Sequence, residues 1–169
     1  MQIDFNYAQK LTSPNPFALI SARMPNGQTN LMAISWWTYT SNHPPSIAIC
    51  LSKKSYTNEL IKNNQEFGLN IVDEELAESA FLCGTCSGRN EDKPAKFDIS
   101  LVEPLEIETM LVKEHKVAFE CRVVEIIEVN DHDLFIAQVV ASRGNPEKRH
   151  LYALDGYRFL GTVNKFQPE

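Results

Sequence analysis

The stretch Ser52-Lys53-Lys54-Ser55-Tyr56-Thr57 crowds the hydroxyls of Ser52, Ser55 and Thr57 against two ammonium groups. It sits between an apolar run that reads as a strand and a run that reads as a helix. Unpaired first-turn amides, the helix dipole, the hydroxyls and Lys53 would together favour a phosphate there. Plain helix capping by the same hydroxyls is the simpler alternative. Trp36 and Trp37 pose a similar choice. Successive strand residues point to opposite faces, so at most one enters a core and the other is left for an interface or for stacking on a ring. Arg89 and Lys93 lie in the polar run Ser87-Gly88-Arg89-Asn90-Glu91-Asp92-Lys93, where they are either anion contacts or solvated charge. Cys83-Gly84-Thr85-Cys86 has the spacing of a redox thiol pair and of half a zinc site. His115, His132 and Cys121 do not complete zinc-ligand spacing, which leaves an active dithiol or two reduced cysteines near a helix end.

No nucleophile elbow, P-loop, paired-histidine metal motif or GxGxxG after a strand is present, so demanding chemistry would have to come from a bound cofactor. The chain has 169 residues, 43% of them apolar, enough for one sizeable core, and a single domain over 1-169 is expected. A net charge of -6, from 16 basic and 22 acidic residues, argues against nucleic acid as a partner. No run is long and apolar enough to span a bilayer, and Met1 to Tyr7 lacks the pattern of a secretory signal. The expectation is a cytoplasmic protein without membrane contact. Cys50 and Cys121 fall in alternating apolar runs and read as buried free thiols.

The elements that must position these residues are mostly strands. Phe17 to Ala22 reads as a buried strand, Met24-Pro25-Asn26-Gly27 as a turn, and Thr29 to Tyr39 as the return strand of a hairpin. Pro44-Pro45 should bar ladder pairing before a third strand, Ser46 to Leu51. A helix over Thr57 to Asn64 buries Leu60 and Ile61. A strand follows over Glu66 to Val72, then a second helix over Glu74 to Leu82 that Gly84 ends, then a long polar loop from Thr85 to Phe97. Lys116 to Val129 and Leu134 to Ser142 form a hairpin around Asn130-Asp131-His132-Asp133. In its first strand Val117, Phe119, Cys121 and Val123 alternate with Ala118, Glu120 and Arg122, so one face is buried and the other at least partly wet. Many short strands and few helices imply a mainly β, closed or partly closed barrel.

One ordered set of motifs runs from Asn15-Pro16-Phe17 through Asn26-Gly27-Gln28-Thr29-Asn30, Ala33-Ile34-Ser35-Trp36, Pro44-Pro45, Thr57 and Glu66-Phe67-Gly68-Leu69-Asn70. It continues with Cys83-Gly84, Ser87-Gly88-Arg89 and Asp92-Lys93. In order and spacing this set resembles the flavin reductase-like, flavoredoxin-type family. The resemblance covers about residues 14 to 97. It implies an FMN-binding split barrel: a six-stranded antiparallel Greek-key barrel with a few flanking helices, working as a homodimer with FMN near the subunit interface. By the same resemblance Asn30 and Ser35, Trp36, Trp37 and Thr38 would contact the isoalloxazine and ribityl chain. Ser52, Ser55 and Thr57, beside Lys53, would hold the phosphate, and Arg89 and Lys93 would reach over the cofactor. Two departures stand out: Asn90 replaces an acidic residue common in the family, and Cys86 adds a thiol beside Cys83.

The implied activity is hydride transfer from NADH or NADPH to FMN, and onward transfer to free flavin or to a redox partner protein. A flavoredoxin-type electron carrier without direct nicotinamide oxidation is the alternative, and a non-enzymatic flavin-binding module is a third. No side chain is assigned a catalytic proton transfer, and no metal is expected.

Overall fold

Alternation and turn chemistry account for most of the architecture in a computed structural model that describes residues 1–163. Residues 164–169 of the expected 1-169 domain lie outside the described residues. A short helix, α1 (Phe5–Leu11), precedes a two-residue strand β1 (Asn15–Pro16) and the hairpin of β2 (Ala18–Arg23) and β3 (Thr29–Ile34). The hairpin turn forms as the Asn-Gly pair requires: Asn26 Oδ1 accepts from the Gln28 amide at 3.0 Å, and Gly27 takes a φ of 85°.

The return strand does not run unbroken to Tyr39. It is interrupted at Ser35-Trp36 and resumes as β4 (Trp37–Asn42), which pairs with β5 (Pro45–Ser52). Pro44-Pro45 is correspondingly less of a barrier than expected: Pro45 already pairs opposite Asn42, at the strand's first position where a missing N–H costs nothing.

Next come α2 (Tyr56–Asn64), β6 (Glu66–Val72) with the bounds read from sequence, α3 (Ala77–Cys83) and the one-turn α4 (Lys93–Lys96). Gln65 ends α2 in the left-handed region, its amide donating to the Ile61 carbonyl at 2.8 Å. The second expected helix is split. Glu74–Leu76 is 3-10, and only Ala77–Cys83 is α, closed by Gly84 as its C-cap. The loop after it is not wholly irregular, because the Asp92 carboxylate accepts from the Ala95 amide and caps α4. The short ribbon of β7 (Leu101–Val102) and β8 (Leu111–Val112) leads to the long hairpin of β9 (His115–Val129) and β10 (His132–Gly144). Its turn is tighter than the expected four residues, with Asn130 at a φ of 49°. Strands β11 (Tyr152–Leu154) and β12 (Phe159–Gly161) complete a small sheet with β1.

The main sheet is antiparallel in the order β3-β2-β6-β9-β10-β5-β4. Its two edge strands are the halves of one interrupted strand, so the sheet closes on itself at Ser35-Trp36. Counted around the ring, six positions remain, as expected. Three neighbouring strands followed by β6 returning beside β2 is the Greek-key connection.

The barrel interior is filled by Ile20, Ile49, Phe67, Leu69, Cys121 and Phe135, with Leu60 and Ile61 of α2 closing one end. A second core lies outside the barrel wall, where Phe17, Leu19 and Leu31 meet Leu76, Ala80 and Cys83. The outer face of β9 is drier than its alternation implies. Of the three residues read as that face, Ala118 and Glu120 are buried and Arg122 is exposed. The Glu120 carboxylate accepts from the amides of Leu105, Glu106 and Ile107 and from Arg143, so the loop ahead of β8 covers it.

Candidate functional site

Two cavities flank the strand interruption, and Met32 belongs to the wall of both. The first, ≈ 520 Å³, is walled by Met32, Ser35, Trp36, Cys50, His132 and Tyr157, with Asn6, Gln9 and Lys10 of α1 at its border. The second, ≈ 360 Å³, is walled by Asn30, Lys54, Ser55, Tyr56 and Thr57 on one side and by Cys86, Ser87, Gly88 and Lys93 on the other.

In the second cavity the start of α2 is open. Ser55 is the N-cap, yet its side chain makes no capping bond; its Oγ donates to the Met32 Sδ at 3.1 Å. The first-turn amides therefore have no side-chain acceptor, the condition under which a helix start holds an anion. Thr57 is buried, and its Oγ1 accepts from Asn30 Nδ2 at 2.9 Å. Asn30 Oδ1 is buried without any partner. A buried amide oxygen left unpaired costs free energy, and a ligand donor would recover it. Gly88 is pressed against the same amide: a Cβ there would come within 1.9 Å of Asn30 Oδ1, so only glycine lets this loop close on the cavity.

Lys93 reaches this cavity from beneath rather than from above. Its ammonium is buried and donates to the Leu31 carbonyl at 2.8 Å and the Cys83 carbonyl at 2.7 Å, tying β3 to the end of α3. Burial pulls its pKa below the ordinary lysine value. Arg89 lies at the outer margin, stacked 4.6 Å from the Tyr56 ring centroid and paired with Glu59 at 2.8 Å. Ser52 and Lys53 fall outside the cavity. Ser52 Oγ accepts from the Lys54 amide at 3.3 Å, and Lys53 pairs with Glu128 at 3.0 Å. Lys54 and Tyr56 occupy the positions on the cavity wall instead.

In the first cavity the two tryptophans divide as strand geometry requires. Trp36 faces outward, stacked on His132 at 5.0 Å, and walls the cavity. Trp37 turns inward and packs against the barrel core, its indole Nε1 buried without a partner. Ser35 walls the cavity with its Oγ buried beside the Tyr157 hydroxyl. Thr38 is exposed on β4, its hydroxyl donating to the Tyr39 carbonyl at 3.4 Å, away from the cavity.

His132 is the residue that sequence reasoning missed. The sequence offers it as a turn residue and as a histidine that completes no zinc spacing, but β10 pairs with β5 so that His132 stands opposite Ser52, next to the strand interruption. Its Nδ1 lies 2.9 Å from Asp131 Oδ1, a contact that holds the Asp131 carboxyl below its ordinary pKa. Met32 and Tyr157 were also missed, since neither residue type carries a signal until the fold brings it to the wall.

The thiols differ in character. Cys83 is fully buried, and burial pushes its pKa up to about 12, which leaves it a poor nucleophile. Cys86 is half-buried on the cavity wall, and all four cysteines are free. Among the described residues no cluster of histidine, cysteine and carboxylate groups has the makings of a metal site, and no helix is long and apolar enough to cross a membrane.

This mainly β, antiparallel barrel is the fold of solved split-barrel flavin reductases and flavoredoxins. Flavoredoxin from Methanosarcina acetivorans superposes with a TM-score of 0.88 at 24% identity, over 100% of this chain and 94% of that one. The likeness at that identity concerns the fold. Residues 11–161 match the family model of the flavin reductase like domain, and the chain belongs to that family. An uncharacterised protein of Archaeoglobus fulgidus is 32% identical over 111 residues, 66% of this chain and 63% of that protein. The chain thus spans less than two thirds of that relative's length. The NADH-dependent flavin reductase StyB of Pseudomonas fluorescens is 29% identical over 131 residues, 77% of this chain and 71% of StyB.

Proposed function

We propose that this chain, as one flavin reductase-like domain, binds FMN across the two cavities and works as an NAD(P)H-dependent flavin reductase. The observation that carries the reading is the uncapped start of α2 facing Asn30, whose buried Oδ1 has no partner. Those groups fit a phosphate and its adjoining polar chain. Thr57, Ser55, Lys54 and the first-turn amides of α2 would hold the phosphate, with Lys93 lending positive charge from below. Asn30 would meet the polar chain. Ser35 would offer its buried hydroxyl beside the ring, and Trp36 and His132 would give it a stacked aromatic wall. Bound FMN supplies the two-electron hydride chemistry, and the residues orient it and limit water. The relative StyB, an NADH-dependent flavin reductase by name, supports the same activity.

The electrons would pass to free flavin or to a redox partner protein. A homodimer is part of this reading, with exposed Trp36 at the site and exposed Tyr39 further along β4 as apolar surface for a second copy. The working compartment would be the cytoplasm.

Purified protein loaded with FMN and mixed anaerobically with NADH or NADPH tests the activity. Bleaching of the flavin absorbance on the turnover timescale is expected. Failure to bleach, with ready reduction by a reduced redox protein, would replace the reductase with an electron carrier. A protein that takes up no FMN would overturn both.

A further inference from the structure

A third, smaller cavity of ≈ 250 Å³ opens beside the two that form the candidate site. It shares Ala33 and Tyr157 with the Trp36 cavity, and Gly84 and Thr85 with the cavity at α2. Its remaining walls are Phe17, Phe81 and Leu160. Among the described residues no lysine, arginine, histidine or carboxylate borders it, and the side-chain polar atoms they bring to it are the hydroxyls of Thr85 and Tyr157. The Thr85 hydroxyl already donates to the Leu82 carbonyl at 2.8 Å.

These walls select an occupant. A cavity without a charged side chain does not repay the desolvation of an ion. The accessible rings of Phe81 and Tyr157 favour another ring, and buried Phe17 backs Tyr157 edge to face at 6.3 Å between centroids. Drug-sized ligands take cavities of about 300 to 1,000 Å³, so this one suits a single substituted ring. Gly84 packs closely between α3 and β3 at the wall: a Cβ there would lie 3.3 Å from the Phe81 carbonyl and 3.4 Å from Ala33 Cβ.

We infer that this lobe is a binding site for an uncharged monocyclic aromatic molecule of the phenol or quinone class. Its position beside the flavin rests on the proposed FMN site. Its existence as a site does not, because none of Phe17, Phe81 and Leu160 belongs to the walls that would hold FMN. A ring seated here lies against Ala33 and Tyr157, the walls it has in common with the wider cavity, and so brings a small neutral molecule to the edge of the flavin compartment.

Calorimetric titration of FMN-free protein with p-cresol tests the inference. Saturable binding is expected, with benzoate at least tenfold weaker because its charge has no partner. Leu160→Trp fills the lobe and should weaken p-cresol at least tenfold while FMN uptake, followed by fluorescence quenching, is unchanged. Phe81→Ala, a change at a partly exposed side chain, provides a second readout should the tryptophan variant fail to fold: widening the lobe should shift preference at least tenfold from p-cresol towards 2-naphthol. Absence of p-cresol binding to the unmodified protein, benzoate binding equally well, or both variants binding as the unmodified protein does would each overturn the lobe as an aromatic site. Loss of FMN binding by the unmodified protein, with p-cresol still bound, would instead sink the flavin reading and leave the lobe standing.

Discussion

Ser52 and Thr57 belong to the same strand-to-helix junction, yet only Thr57 turns its hydroxyl into the cavity, where it accepts from Asn30. Ser52 spends its oxygen on the Lys54 amide within the turn. A hydrogen bond to a charged group contributes about 1.5 to 3 kcal/mol, so Thr57→Ala should weaken FMN roughly ten- to a hundredfold. Ser52→Ala should leave the affinity unchanged. Titrating FMN fluorescence against both variants checks this, and equal losses would return Ser52 to the phosphate site. Residue types mark this junction as suited to an anion, since hydroxyls and ammonium groups at a helix start are legible as chemistry. Which of them face the cavity is not legible, because the direction of each side chain is set by the turn and by its partners. Lys53 shows the same limit: its ammonium is drawn off by Glu128 of β9, a residue far along the chain.

Among the elements, β6 was readable from its apolar alternation and the β9–β10 hairpin from two β-branched runs around a polar turn, although register shifts at Ile136/Ala137 and Val139/Ala141 interrupt its pairing. The break at Ser35-Trp36 was not, because Thr29 to Tyr39 keeps strand-forming residues throughout and the interruption comes from closing the barrel. The burial of Glu120 was equally hidden, since a carboxylate between apolar neighbours reads as a wet face. In the fold two carboxylates of adjacent strands pin the loop ahead of β8: Glu120 receives Leu105, Glu106 and Ile107, while Glu66 receives Glu108 and Thr109. Burial alone would raise the Glu120 pKa, but the Glu106 and Leu105 amides, Arg143 and the Ile107 amide outweigh it and hold it below the ordinary value. A depressed folded-state pKa means a stabilisation present above the unfolded value of about 4.3 and lost as pH falls through the folded value. Glu120→Gln should therefore cost about 1 to 3 kcal/mol at pH 7, a Tm lower by roughly 2 to 12 °C. The gap should narrow as pH drops below about 4. Melting curves of both proteins across pH 3 to 7 measure it, and a gap independent of pH would mean that the carboxylate charge is not what holds the loop.

At the scale of the whole molecule the candidate site spans parts that alternation and turn rules place separately: the interrupted barrel strand, the start of α2 and the loop that carries Gly88. A ligand bridging all three binds only the folded chain, and at a hundredfold excess over its Kd it stabilises that chain by about 2.7 kcal/mol. For a protein of this size that is a rise in Tm of roughly 5 to 10 °C. FMN and riboflavin share the ring and the polar chain and differ in the phosphate, so their comparison isolates the α2 end of the site. FMN should give the full rise, while riboflavin at the same concentration should give a distinctly smaller one, because the uncapped amides, Lys54 and Thr57 then have no anion to meet. Adding salt should erode the FMN rise more than the riboflavin rise, since only the phosphate contact is between charges and open to screening. Equal shifts for the two flavins would leave the ring cavity intact and remove the phosphate from α2. No shift with either would dissolve the link between the cavities that Met32 now makes.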